Sequence, residues 1–533
     1  MSCTRYMNVF VTWCLLTSLM TSVRSVNCTG HGGSNGGPSN IAFISITTDD
    51  LDASLKFYTQ VLGGMQAKEF SFRYHGNTHY ELMFQRELLE AREKGVDPGT
   101  LGVPDIRSSG THEVRGEMVV FDNGIIQLIQ FVPRYDIARP SSSLSPAFQA
   151  HETRTSPAYI AAPHVCFWVQ DDVDFNDYIR QLENRSANLG LTQVKVNRPV
   201  EVHSEAQRQA VDKNHLGLTF ETGDFAGLSF AYFKGPRGEQ LELYRIRNQT
   251  RHNLGRDFCK RGAISTAFVD DYQDNQWKKD VGLSAKLFGL MQFGTRTDDL
   301  WRSVNFYVNM LGADLVERPL QGTNIRGDNV QYMLFQKELL DAEHLRVRPR
   351  DIGVADISNR GNMRLDHRFS LFDNFVVETL LYTDGRTLGE PAFNPRVNHS
   401  SLAYINDMYV ALMVRDDLDF PTQLEILDRD LAKNGFDKHV RVNRIPDENR
   451  GGYYTFSQGP LSGMTYSMLS GPAGEHVALV QFRGVSRDKL RRALLQYGAV
   501  SSAFADTNPR LSGRMAKSCR QFLGYDIDSL IGK

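Results

Sequence analysis

The apolar run from Ile41 to Ile46 reads as a buried strand. Leu51, Leu55, Tyr58 and Leu62 follow at spacings that share one helical face, and Gly63-Gly64 ends that helix. Further strand-like runs come next. The pattern restarts at His164-Val165-Cys166-Phe167-Trp168-Val169. It closes with a turn at Gly235-Pro236-Arg237-Gly238 and a strand from Gln240 to Arg245. Four such units are expected, near 38–135, 157–247, 287–385 and 401–484. The Ser/Pro-rich stretch from Pro140 to Pro146 separates the first two. Residues 248–286 read as a polar linker, and 485–533 as a helical tail whose basic positions from Arg487 to Arg492 form a solvated face.

The back half copies the front half. Thr48-Asp49-Asp50-Leu51, leading into Phe57-Tyr58, returns as Thr297-Asp298-Asp299-Leu300, leading into Phe306-Tyr307, at an offset of 249 (299 − 50). Phe84-Gln85-Arg86-Glu87-Leu88-Leu89 returns as Phe335-Gln336-Lys337-Glu338-Leu339-Leu340 at 251 (335 − 84). Phe121-Asp122-Asn123 returns as Phe372-Asp373-Asn374, and Ala158-Tyr159-Ile160 as Ala403-Tyr404-Ile405. So many colinear blocks define an internal repeat. The Glu338-Leu339-Leu340 block reads as an amphipathic helix without chemistry of its own.

Composition changes the picture only at its edges. With 533 residues, 41% of them hydrophobic, there is material for several cores. Lys+Arg at 60 nearly balances Asp+Glu at 62, which argues against a nucleic-acid or polybasic membrane-surface partner. Residues 1–25 carry Arg5, an apolar run from Val9 to Met20, and Val23 and Ser25 before a cleavage point, the layout of a secretory signal peptide. No later stretch approaches the roughly 20 apolar residues of a membrane span. A secreted or lumenal glycoprotein is therefore expected, with acceptor triplets at Asn27, Asn184, Asn248 and Asn398. Cys3 and Cys14 fall in the signal. Cys28, Cys259 and Cys519 sit in terminal or linker sequence, where a bridge is permitted, and Cys166 reads as a buried thiol.

The run from Asp50 to Tyr58, then Val61-Leu62-Gly63, resembles the opening helix of vicinal oxygen chelate proteins. That superfamily includes glyoxalase I, extradiol dioxygenases and antibiotic-resistance proteins. The stretch Gly235-Pro236-Arg237-Gly238-Glu239-Gln240-Leu241-Glu242-Leu243 resembles their closing turn and last strand, whose glutamate is a metal ligand. The resemblance implies an α+β fold of four βαβββ modules, arranged as two tandem glyoxalase-like halves. It also implies a divalent metal held by residues from the first and last strands of two paired modules. Alternate residues of a strand face one side, so four strands can converge on one ion.

By this resemblance the third module offers Gln292 and Glu378, and the second offers His164 and Glu242. Together they resemble the metal set of animal glyoxalase I. The first module offers Phe43 and Gln127, and the fourth Tyr409 and Ala478, a set unfit for a metal. The asymmetry points to pairing of modules two with three and one with four. Pairing of one with two would instead leave Gln127, His164 and Glu242, with Phe43 in the fourth corner. Arg296, four residues after Gln292, matches an arginine that grips a carboxylate in glyoxalase I. Ile160 and Tyr382 stand where the resemblance would want Arg and Asn, which puts strict glyoxalase I activity in doubt.

What is implied is one divalent ion, Zn, Ni, Mn or Fe, acting as a Lewis acid on a small oxygenated metabolite. Glu242 or Glu378 is the candidate general base of a lyase or isomerase. An Fe-dependent extradiol-type oxygenase and a secreted, non-catalytic small-molecule-binding protein are the alternatives. Either a monomer or a homodimer fits, because all module faces can pair within one chain.

Overall fold

The computed structural model describes residues 40–134, 159–261, 283, 286–316, 325–372, 374, 376–383, 401–414, 418–445 and 451–496. The signal-like segment 1–25, Cys28, Cys519 and most of the tail lie outside them. Among the described residues no helix is long and apolar enough to cross a membrane. The described strands form two sheets, one of ten strands and one of nine, with helices packed on them, so the fold is α+β.

Each sheet takes strands from both halves of the chain. In the nine-stranded sheet Pro163–Val169 pairs antiparallel with Leu287–Arg296, and these are flanked in parallel by Gln240–Ile246 and Val376–Thr383. In the ten-stranded sheet Asn40–Thr47 pairs antiparallel with Met408–Met413, flanked by Gly124–Pro133 and His476–Phe482. The pairing is therefore across the halves, and the alternative within one half is not adopted. One extended apolar core draws on both sheets. Phe57 packs 6.3 Å from Phe233, and Tyr58 lies 6.4 Å from Phe167. Tyr58 donates to Glu239 at 3.1 Å, and its counterpart Tyr307 donates to Glu475 at 2.9 Å, so each hydroxyl ties together two distant segments of its own half.

The repeated blocks have physical jobs. Asp50 and Asp299 each cap a helix, accepting from Ala53 N and Arg302 N at 2.9 Å. The helices Leu51–Lys56 and Leu300–Asn305 then loosen into π-turns, Phe57–Val61 and Phe306–Met310. This shifts the buried face: Phe57 is fully buried while Leu55 is only half-buried, against the simple helical spacing. The first part of the stretch read as a linker, 248–286, is a helix, Asn248–Arg261.

Asn123 and Asn374 form an interlock. Asn374 accepts from Ile41 N at 3.0 Å and donates to Ile41 O at 2.7 Å. Asn123 does the same to Leu290, at 2.8 and 2.7 Å. Each amide also donates to the other's carbonyl, at 3.0 and 3.1 Å. The strand registers slip beside both targets, between Ile41 and Phe43 and between Leu290 and Gln292. The asparagines thus satisfy backbone groups at the bulges. Replacing Asn374 by Ala strips both groups of Ile41 of their partner inside the core. A loss of about 2 kcal/mol is expected, measurable as a lowered urea midpoint at unchanged m-value.

Candidate metal centre

Five adjacent strands of the nine-stranded sheet place side chains on a two-row grid. In one row Gln292, Cys166, Glu242 and Tyr232 are successive cross-strand neighbours. In the next row Glu378, Gly294 and His164 are neighbours. Small residues occupy the middle of each row. Gly294 leaves room for the His164 ring, and Cys166 leaves Glu242 and Gln292 free to meet above it. The bulge before Gln292 sets this register.

The outcome is a compact polar cluster inside an apolar core. His164 Nε2 lies 3.3 Å from Glu242 Oε2 and 3.2 Å from Glu378 Oε2. Gln292 Nε2 donates to the same two oxygens at 3.0 and 2.7 Å. The Tyr232 hydroxyl is 3.3 Å from His164 Nε2. All four candidate ligands are 1% exposed or less. Burial draws the His164 pKa down, but hydrogen bonds and charge from both carboxylates outweigh it and hold it at about 9. Burial lifts Glu242 to about 7 against the pull of His164. Burial also pushes Glu378 up, yet His164 and His367 together hold it below its ordinary value.

His164, Glu242 and Glu378 each present a donor atom within 4.8 Å of the others. Gln292 Oε1 is buried without a hydrogen-bond partner, so a rotated amide would bring a fourth donor atom to the cluster. An imidazole, two carboxylates and an amide oxygen suit a hard or borderline divalent ion. Two carboxylates this close in a core also need a positive charge between them, which His164 supplies here and an ion would supply better. The residues fit the implied metal.

Arg296 lies on the same strand face as Gln292, fully buried, its guanidinium carbon 4.9 Å from the Tyr382 ring centre. Burial lowers its pKa to about 10. Cys166 is a buried free thiol, which burial pushes well above its usual pKa. The helix Asp328–Leu345, which carries the Phe335-Gln336 block, borders the cluster. It bends at Phe335, whose ring is 5.8 Å from Tyr382, and Met333 Sδ lies 3.4 Å from Tyr232 N. Gln336 clamps Arg198 N and O at 2.9 and 3.1 Å, and Gln85 clamps Arg444 N and O in the other sheet. That block does more than form an amphipathic face.

In the ten-stranded sheet the corresponding grid is filled. Phe43 meets Tyr409 edge-on at 6.1 Å, Tyr409 donates to Gln127 at 2.9 Å, and Ala478 is buried beside them. Three neighbours of the polar cluster were not singled out from sequence: Gly294, Tyr232 and His367. A lone glycine inside a strand was the available signal for Gly294.

Residues 40–243 match the family model of the Glyoxalase/Bleomycin resistance protein/Dioxygenase superfamily. The matched segment, in the front half, belongs to that superfamily, and the back half is an internal repeat of the front. Among solved structures the chain is similar to glyoxalase I from Zea mays, at 12% identity and TM-score 0.38, covering 86% of this chain and 96% of that one. A glyoxalase family protein from Bacillus cereus is similar at 16% identity and TM-score 0.21, over 39% of this chain and 95% of that one. A variant of 4-hydroxymandelate synthase from Streptomyces coelicolor is similar at 11% identity and TM-score 0.21, over 85% and 97%. No curated protein matches the chain.

Proposed function

We propose that this chain is a secreted, metal-dependent lyase or isomerase of glyoxalase type, acting on a small metabolite with two neighbouring oxygens. The observation that carries this reading is the convergence of His164, Glu242, Gln292 and Glu378 from four strands. A bound divalent ion would supply Lewis acidity to the substrate oxygens. Glu242 is the general base. Its carboxylate faces the cluster beside His164 and Gln292, placed to take a proton from a carbon next to the substrate oxygens and return it. Arg296 anchors an anionic end of the substrate. Secretion rests on the signal-like residues 1–25.

An extradiol-type oxygenase is less well supported. That chemistry asks for two imidazoles on iron, and among the described residues only His164 offers an imidazole nitrogen as a ligand in the cluster. The enclosure of the cluster favours a different rival, a non-catalytic binding protein with a closed centre.

Plasma mass spectrometry on the full chain is the test, beside His164→Ala/Glu242→Ala. About one ion per chain, lost in the variant, is expected for a mononuclear site. Protein without metal, purified away from chelators, would leave the binding reading in its place.

A further inference from the structure

The geometry points to His367 as a positioning residue that fixes the outer oxygen of Glu378 and so divides the labour of the two glutamates. This rests on the metal-centre reading above. His367 is on the strand Arg364–Leu371, diagonal to Glu378: Phe369 is the direct partner of Glu378, and His367 that of Leu380. At that offset a long side chain still reaches its diagonal neighbour. Its Nδ1 lies 3.0 Å from Glu378 Oε1, the oxygen turned away from His164. An ionised carboxylate only accepts, so Nδ1 is the donor.

The surroundings say what the imidazole is for. His367 is buried, with Phe225 and Phe369 at ring distances of 5.1 and 5.0 Å. Its Nε2 is also buried and has no hydrogen-bond partner among the described residues. A phenylalanine would fill that aromatic niche without stranding a nitrogen. What the histidine adds is its one hydrogen bond to Glu378. Both oxygens of Glu378 are then engaged, Oε2 by the cluster and Oε1 by His367. Among the described residues Glu242 receives no histidine from behind; Tyr232, across the strand from it, hydrogen-bonds its carboxylate and sits 3.3 Å from His164. Glu378 is the ligand anchored by an imidazole on its outer oxygen, and Glu242 lacks that anchor.

Cobalt(II) loaded into the full chain tests this without any substrate. The readouts are its visible absorption and its rate of release to a chelator, for wild type, His367→Phe and His367→Asn. The Phe variant should release Co(II) about 10–100-fold faster with a changed visible spectrum, the usual effect of losing a ligand's outer hydrogen bond. The Asn variant keeps a donor at similar reach and should stay within about threefold of wild type. His367→Leu replaces His367→Phe if circular dichroism shows that the latter does not fold. Wild-type spectrum and release in the Phe or Leu variant overturn this inference alone, as does an Asn variant that behaves like Phe. A wild-type chain that takes up no Co(II) overturns the metal reading and this inference with it.

Discussion

Gly294→Ala is expected to break up the candidate metal centre and to destabilise the protein by roughly 3 kcal/mol or more. A Cβ at this position would lie 1.8 Å from His164 Cε1, 2.2 Å from Nε2 and 2.5 Å from Nδ1. The ring has no retreat. Its Nε2 is hemmed in by Glu242, Glu378 and Tyr232, and the residue is 1% exposed. Either the imidazole leaves its rotamer or the strands part, and both outcomes pull a donor off the cluster. Metal stoichiometry and urea denaturation on one preparation measure the two losses. The double variant Gly294→Ala/His164→Ala sharpens the test. With the ring gone the added methyl has room, so the alanine at 294 should cost much less in that background. An equal cost in both backgrounds would sink the steric account.

The second large effect concerns the sheet whose grid is filled. His79, on the helix Asn77–Lys94, is buried among Tyr74, Tyr454, Phe456 and Tyr466, with Nδ1 at 2.7 Å from the Tyr466 hydroxyl. Burial, helped by the nearby His75, lowers its pKa to about 3. The unfolded chain binds a proton at about 6.5 and the folded chain does not. His79 therefore favours the native state fully above pH 6.5 and loses that advantage as pH falls toward 3. The slope approaches 1.4 kcal/mol per pH unit, or about 2 kcal/mol between pH 6.5 and 5. Glu242, with its raised pKa, gains protons in the folded state over part of this range and works in the opposite sense. The comparison with His79→Phe isolates the histidine. Wild type should lose about 2 kcal/mol more than the variant between those pH values, read from urea midpoints. Parallel pH profiles would show that His79 carries no such burden.

The fold was legible because the back half of the chain repeats the front half. The capping aspartates and the Phe-Gln helix blocks recur at offsets of 249 and 251, and the closing glycine turn at 236, so each half reads against its copy. The same alignment singled out His164, Glu242, Gln292 and Glu378, which the structure brings together in one cluster. It also singled out Phe43, Gln127, Tyr409 and Ala478, which pack as an apolar and aromatic plug. What escaped depends on cross-strand register. Tyr232 and Gly294 matter because they stand opposite Glu242, and His164 with Glu378, a relation set partly by a bulge near Met291 that no local pattern announces. His367 looks like any lone histidine on a strand until Glu378 is placed beside it. The polar linker hid a helix because a window of low hydropathy says little about helical propensity. The π-turns hid for a similar reason: they move the buried face by one residue without breaking the run of helix formers.

Pairing across the halves also sets a timetable for synthesis. Asn40–Thr47 and Pro163–Val169 leave the ribosome early, yet each is an interior strand whose antiparallel partner, Met408–Met413 or Leu287–Arg296, is made much later. Ile44 faces Val410, 366 residues further on (410 − 44). At translation rates of roughly 5–20 residues per second, that partner arrives on the order of 20–70 s afterwards. Through that interval the nascent chain carries bare, apolar strand edges, the surfaces most prone to pair with a stranger. Yield in the cell should therefore depend on whatever shields those edges until the second half is complete.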